Sequence, residues 1–393
     1  CGGGQCMIDI GMKFSNPNSG GPAKAAVLSS GLMGMVSGSA VANVTTTGVM
    51  TIPMMKKAGY EPHQAGAIES VASTGGQIMP PIMGVGAFIM AELLGIGYGK
   101  VAISALIPAV AYYLSVFILV DLLARKNVHL HPERKANADD LKFEVNPIIP
   151  RLYLLAPAAI LVYMVMSGQS LRRSAMIATV AVLVLNLIPG KGVSKEKLLE
   201  AFEDGIRQAA NIALPTAACG IIIAACVQTG LATKFSEVVA AVGGQYLILA
   251  LLITMVGCML LGMALPTTAA YLIAVVLFVP VMLKLQIAPI VAHMFCFYFG
   301  VMAQITPPVC LASFTAAGIA GADSWKTGWT GFTYALVAFL VPFAFAYQPA
   351  LLMQGSLLDV IQPAITLFAG VFGLSVTVSG FLFRPMPVWL RTI

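Results

Sequence analysis

The sequence predicts an all-α polytopic membrane protein, built as an inverted repeat with two re-entrant hairpins and two broken helices. Three observations predict it. Of 393 residues, 59% are hydrophobic and only 10% charged, against about 25% charged in a soluble domain. A short motif, Gln-Ile-x-Pro-Pro, occurs twice within long apolar segments, at 77–81 and again 227 residues later at 304–308. The basic residues divide unevenly between the two sides that a count of spans defines. The net charge of +6 reflects those basic loops and is no sign of nucleic-acid binding.

The paired prolines define the breaks. Within a helix, proline removes a backbone donor and clashes with the preceding turn, at a cost of about 3 kcal/mol. An unpaired backbone group inside a bilayer costs several kcal/mol more. Both helices are therefore expected to break, and the freed carbonyls need water, a neighbouring helix or an ion.

In chain order, 1–14 reads as the end of a spanning helix and 15–22 as a turn. The chain is expected to be a piece of a longer one. Residues 23–55 are two half-length apolar helices around a small polar tip, a pattern that predicts a hairpin rather than one kinked span. A broken helix covers about 63–95, and 100–124 spans. This set, 1–124, is the first repeat. The unit 125–210 holds a polar cytoplasmic loop at 125–147, spans at about 148–167 and 173–189, and a charged amphipathic helix at 194–210. That helix puts Leu198, Leu199, Phe202 and Ile206 on one face and is expected to lie in the interface plane. The second repeat, 211–347, holds a span at 211–229, a hairpin at about 246–280, a broken helix at about 290–320 and a span at about 328–347. A last span, about 357–380, lies in the terminal unit 348–393. Seven cysteines, with no C-x-x-C spacing, read as small buried residues rather than a disulfide or metal set.

The repeat is legible residue by residue. At a shift of 227, Pro53 meets Pro280, Met55 meets Met282, Lys57 meets Lys284 and Pro62 meets Pro289. Just upstream, Gly34-Met35 meets Gly262-Met263 at 228. Five crossings separate the two broken helices if each hairpin returns to its own side, so the second copy runs opposite to the first. That organisation places a site at the midplane. Seventeen of the 22 Lys and Arg then fall on one side. The other side holds Lys100, Arg172, Arg173, Lys234 and Lys284. The positive-inside rule makes the richer side cytoplasmic.

Each hairpin tip turns small and hydroxylic: Ser37, Ser39, Asn43 and Thr45 in the first, Thr267 and Thr268 in the second. Near the breaks lie Ser73, Thr74, Gln77, Gln304 and Thr306. Hydroxyls and bare carbonyls suit a hard cation such as Na+, and half-helix N-termini favour anionic groups. The competing reading of each Ser or Thr is a bond back to its own helix. Gln77 and Gln304 are expected to hold the breaks open by bonding freed backbone groups. Thr306 stands where the first copy has Met79, so the two sites should differ by a hydroxyl. Glu69 reads either as a proton-coupling carboxylate or as a structural or near-interface group, and its repeat-mate is Cys296. Glu92 and Asp121 read as solvated span ends and His293 as interfacial. No catalytic triad, metal-ligand cluster or phosphate-binding loop occurs, so the sequence offers no support for an enzyme or a cofactor other than Na+ or H+ as coupling ion.

Gly-Ser-Ala-Val-Ala-Asn at 38–43, Ser-Thr-Gly-Gly-Gln-Ile-Met-Pro-Pro at 73–81 and Ala-Glu-Leu-Leu-Gly-Ile at 91–96 resemble the large membrane subunit of TRAP transporters, most of all the TAXI branch. The resemblance covers nearly the whole chain. It implies an elevator-type transporter in which hairpins and broken helices form the mobile part. It further implies an organic anion (a carboxylate) delivered by a periplasmic binding protein, uptake coupled to Na+ or H+, and a small membrane subunit, fused or separate. The implied location is the bacterial inner membrane. The family's ion-site pattern falls on Ser37, Gly38, Ser39 and Asn43; on Thr74, Gly75, Gly76, Gln77 and Pro80; on Pro266, Thr267 and Thr268; and on Gln304, Thr306 and Pro307. The better-known branch often has an acidic residue near the second tip, which 263–268 lacks. A channel, which also uses proline-broken helices, and an inert scaffold subunit are the alternative readings.

Overall fold

Glycine and proline interrupt the helices at the first hairpin tip and at both Gln-Ile-x-Pro-Pro motifs. The structure, a computed structural model, describes residues 2–15, 20–130, 146–186, 194–231, 233, 234, 237, 246–263 and 265–387. Residues 16–19 of the expected turn at 15–22, most of the polar loop (131–145) and Ala264 at the second tip lie outside the described residues, and residues 21 and 22 of that turn already belong to the next helix.

The first hairpin pairs Gly21–Ser37 with Ala40–Lys57. Gly38, at φ 64°, closes the first arm, and Ser39 caps the second by accepting from the Ala42 N–H. The left-handed φ favours glycine there. The arms double back on one another: Asn43 Nδ2 donates to the Ser30 carbonyl at 2.7 Å, and Ser30 Oγ meets Thr47 Oγ1 at 3.1 Å. The second hairpin pairs Leu247–Gly262 with Thr267–Lys284, and Gly257 leaves room there for the ring of Phe278.

Each broken helix has three parts. The first is Pro62–Gly75, a 3₁₀ turn at Gly76–Ile78 and Val85–Leu94. The second is Pro289–Met302, a 3₁₀ turn at Ala303–Ile305 and Leu311–Ala320. Their leading halves both have 14 residues and sit at a shift of 227. The trailing halves, 10 residues each, sit at 226, because the second break is one residue shorter. Both prolyl pairs, Pro80-Pro81 and Pro307-Pro308, are joined by a cis peptide bond. The duplication is thus visible in element lengths as well as in motifs.

Among the described residues, five helices are long and apolar enough to cross a membrane, or up to six if a bent pair counts as one span. The bent pair runs from Ser324–Ala335 into Ala338–Tyr347 at 56° and replaces the straight span expected at 328–347. One arm of the second hairpin, Thr267–Lys284, is itself among the five. Residues 194–210 do not form a separate interfacial helix: they are the first half of a single 34-residue helix, Lys195–Gln228. Ser194 caps it, and no turn residue interrupts the junction at 210, so helical bonding continues. At 1.5 Å per residue such a helix is about 51 Å long, well beyond a bilayer's ~30 Å core. Its charged part therefore stands outside the apolar layer.

The broken helices meet at the centre in a crossed arrangement. Pro62–Gly75 lies against Leu311–Ala320, where Ser70 Oγ and Ser313 Oγ are 3.2 Å apart. Pro289–Met302 lies against Val85–Leu94, where Gly86 accommodates the ring of Phe297. Between them the rings of Tyr112 and Tyr298 meet edge to face at 6.3 Å. Helices Leu171–Asn186, Lys195–Gln228 and Leu357–Ser379 expose large apolar residues such as Met176, Ile221 and Ile365. Apolar faces of this extent are rare on soluble monomers and suit contact with lipid or protein.

Candidate ion and substrate site

Each hairpin tip is pressed onto the break of its own repeat by residues with little or no side chain. A Cβ on Gly76 would lie 2.4 Å from the Gly34 Cα, and one on Gly34 would lie 2.8 Å from the Gly76 Cα. In the second repeat a Cβ on Gly262 would lie 2.9 Å from that of Ala303. Gly38 at the first tip also faces Met83 and Gly84 beyond the break. Tip and break therefore touch in both copies, through Gly34 and Gly76 in the first and Gly262 and Ala303 in the second.

Their side chains divide into spent and unspent groups. Ser37 Oγ bonds the Gly34 and Ser39 carbonyls, and the Ser39 hydroxyl is the helix cap. Thr74 donates back to Ser70 O at 2.7 Å and Thr306 back to Met302 O at 2.8 Å. The hydroxyl that distinguishes Thr306 from Met79 gives its proton to its own helix and keeps its oxygen lone pairs. Gly75 packs on the Tyr112 ring. Pro266 leads the second arm, with Thr267 in its first turn and Thr268 buried beside it. Pro80 and Pro307 hold the turns out of the breaks.

Among the expected site residues, two buried amide oxygens have no hydrogen-bond partner. Asn43 is fully buried, and its amide nitrogen must face the Ser30 carbonyl, which can only accept. Oδ1 then points the other way and has no partner. Gln77, 1% exposed, likewise leaves Oε1 without a partner. Asn43 touches Gly34, and Gln77 follows Gly76, so both flank the closest contact between tip and break. A buried unsatisfied acceptor costs about 1–3 kcal/mol. In the second repeat Gln304 Nε2 donates to the Leu265 carbonyl at the tip, and the mate of Asn43 is Ala270.

Gln304 bonds a backbone carbonyl at its tip rather than at its break. Tyrosines bond carbonyls on either side of the first break. Tyr112 and Tyr113, on the helix Tyr98–Leu130, donate to the Val71 and Ala72 carbonyls at 2.7 and 2.8 Å. Tyr98 donates to the carbonyls of Pro81 and Ile82 beyond the break. The second repeat reverses the polarity: Tyr298, at the position of Val71, donates to the Ala338 carbonyl at 2.9 Å. Two adjacent tyrosines within an apolar span were the available signal, since a buried phenol needs a partner.

The remaining polar groups also differ from expectation. Glu69 is 0% exposed and held by Ser30, Thr47, Thr51 and Ser73. His293 is 7% exposed, with Nδ1 at 2.7 Å from the Tyr271 hydroxyl, so it belongs to the interior. Asp121 is paired with Lys24 and Arg125, while Glu92 is exposed as expected.

The sequence pattern described as "Tripartite ATP-independent periplasmic transporter, DctM component" matches residues 1–360. The chain belongs to the DctM family. A Haemophilus influenzae protein named as a TRAP transporter large permease protein is 32% identical over 137 residues. That alignment covers 35% of this chain and 32% of the relative, so the chain matches about a third of the relative's length. Its long apolar helices are in keeping with a multi-pass membrane protein of that family.

Proposed function

We propose that this DctM-family chain is the permease of a secondary uptake system driven by a cation gradient. It imports an organic anion, a carboxylate, which a periplasmic binding protein of the TAXI type delivers across the inner membrane. A small membrane subunit, fused or separate, completes the assembly. Hairpins and broken helices move as one body in an elevator-like step, and the two repeats run in opposite directions, so one hairpin serves each side.

The observation that carries this reading is the pair of unpartnered acceptors, Asn43 Oδ1 and Gln77 Oε1. Both are oxygens in a dry interior, placed where a hairpin tip meets a helix break. A hard cation such as Na+ takes oxygen ligands of this kind, and its binding would satisfy both. The positive N-terminal ends of Ala40–Lys57 and Thr267–Lys284 begin at the two tips and favour an anionic group beside the cation.

The test is thermal unfolding of the purified protein in Na+ against choline at equal ionic strength. A ligand at 100 times its Kd stabilises by about 2.7 kcal/mol. The proposal expects Na+ to raise Tm and Asn43→Ala to abolish that rise. Equal Tm in Na+ and choline would remove Na+ from the first-repeat site.

A further inference from the structure

Glu69 lies at the centre of a polar cluster that the tip and break do not use. Ser30 Oγ donates to Oε1 at 2.7 Å and Ser73 Oγ at 3.0 Å, and Thr47 and Thr51 donate to Oε1 and Oε2. Gly48 leaves the space for the side chain, since a Cβ there would lie 3.3 Å from the Glu69 Cγ. The cluster joins both arms of the first hairpin to the first broken helix.

The second repeat shows that this contact does not need a carboxylate. At the repeat shifts of 228 for the first arm and 227 elsewhere, Ser30 becomes Cys258, Thr47 becomes Ala274 and Thr51 becomes Phe278. Glu69 becomes Cys296, Ser73 becomes Gly300 and Gly48 becomes Val275. Every member is replaced together, and the Cys258 and Cys296 side chains meet in its place. Equivalent helices pack there without a charge, so the fold alone does not account for Glu69.

The hydroxyls have a second set of acceptors. Thr47 Oγ1 lies 2.9 Å from the Asn43 carbonyl and Thr51 Oγ1 lies 3.1 Å from the Thr47 carbonyl. An ionised carboxylate only accepts, and all four hydroxyl protons then point inward. A carboxylic acid donates once. Thr47 or Thr51 can accept that bond and return its own proton to the backbone carbonyl. The heavy atoms need not move, and no cavity is required.

Few other titratable groups face the cluster. Tyr113 is within electrostatic reach, with its hydroxyl held by the Ala72 carbonyl. On the hairpin arms Lys24 is paired with Asp121, Lys56 donates to the Ala320 carbonyl and Lys57 is exposed. Leu311–Ala320 carries none, and Ser324–Ala335 carries Tyr334 and Lys326, the latter 3.7 Å from Glu61. His63, at the start of the same helix as Glu69, also pairs with Glu61. On Tyr98–Leu130, Tyr112 is bonded to Val71; on Pro289–Met302, His293 is bonded to Tyr271 and Tyr298 to Ala338. Among the described residues, no cation is paired with Glu69.

We propose that Glu69 is a proton-binding site that loads and unloads during transport, with Thr47 and Thr51 turning between the carboxyl and their backbone acceptors. The ligand is a proton, and the site is distinct from the tip-and-break cation site. Its place in a transport cycle rests on the uptake reading above. The proton binding itself does not.

Infrared difference spectroscopy of the purified protein in lipid, between acid and alkaline pH, tests it. The expected result is a protonated-carboxyl C=O band present at acid pH and lost at alkaline pH. Glu69→Gln should remove that band. Glu69→Asp, which keeps a carboxyl, should shift its frequency, so either variant assigns it if the other fails to fold. Absence of any pH-dependent carboxyl band belonging to residue 69 overturns the proposal. A Glu69 band without any gradient-driven uptake would sink the uptake reading and leave the proton site standing. Uptake without the band would do the reverse.

Discussion

Gln304 Nε2 donates to the Leu265 carbonyl at 2.9 Å and so ties the second break to its hairpin tip. Its repeat-mate Gln77 leaves its side-chain oxygen buried and unpartnered. The same residue at matching motif positions thus plays two parts, closing a joint in one copy and keeping a buried oxygen unpartnered in the other.

That difference separates two substitutions. Gln304→Leu leaves the Leu265 carbonyl without its donor and should cost about 1–3 kcal/mol, seen as a lower Tm in Na+ and in choline alike. Gln77→Leu removes an unsatisfied oxygen, so the choline Tm should hold or rise while the Na+ increment disappears. Matching behaviour of the two variants would refute the asymmetry.

Tyrosine hydroxyls hold the first break, so Tyr112→Phe and Tyr113→Phe should each destabilise by about 1 kcal/mol while keeping the ring packing. Thermal unfolding of the single and double variants measures this. Tyr298→Phe should cost about as much, since it bonds the equivalent interface from the other side. No loss in any of the three would mean that other donors reach those carbonyls.

Close approach of tip and break predicts a steric effect. Gly76→Ala would drive a Cβ into the Gly34 backbone. The expected cost is about 1–3 kcal/mol, together with a weaker Na+ increment because Asn43 and Gln77 are pushed apart. Gly318→Ala meets nothing within 4 Å and serves as the control, with unchanged or higher Tm. Equal Tm for the two variants would contradict the contact.

Much of this architecture was legible because proline and glycine report backbone geometry locally. Pro80-Pro81, Pro307-Pro308 and Gly38 mark breaks and a turn, and the recurrence of the paired prolines points to the duplication. The partners of polar side chains were not legible in the same way. Glu69 and Ser73 are four residues apart, as are Thr47 and Thr51, and each pair shares a helix face. Only the packing of three helices shows that these faces meet with Ser30 between them. The tyrosine donors, the burial of His293 and the roles of the two glutamines likewise depend on which helix lies opposite. The continuous helix Lys195–Gln228 was misread for another reason: a change from charged to apolar residues looked like a boundary, although nothing in the backbone ends there.

The central claim is gradient-driven uptake through the tip-and-break unit. Its most direct test is accumulation of labelled carboxylates in liposomes holding the purified protein with its small subunit, the periplasmic binding protein added outside. The account predicts accumulation above the outside concentration only when an inward Na+ or H+ gradient and the binding protein are both present, and its loss in Asn43→Ala. Equilibration without a gradient, the behaviour of a channel, or no flux under any gradient would contradict it.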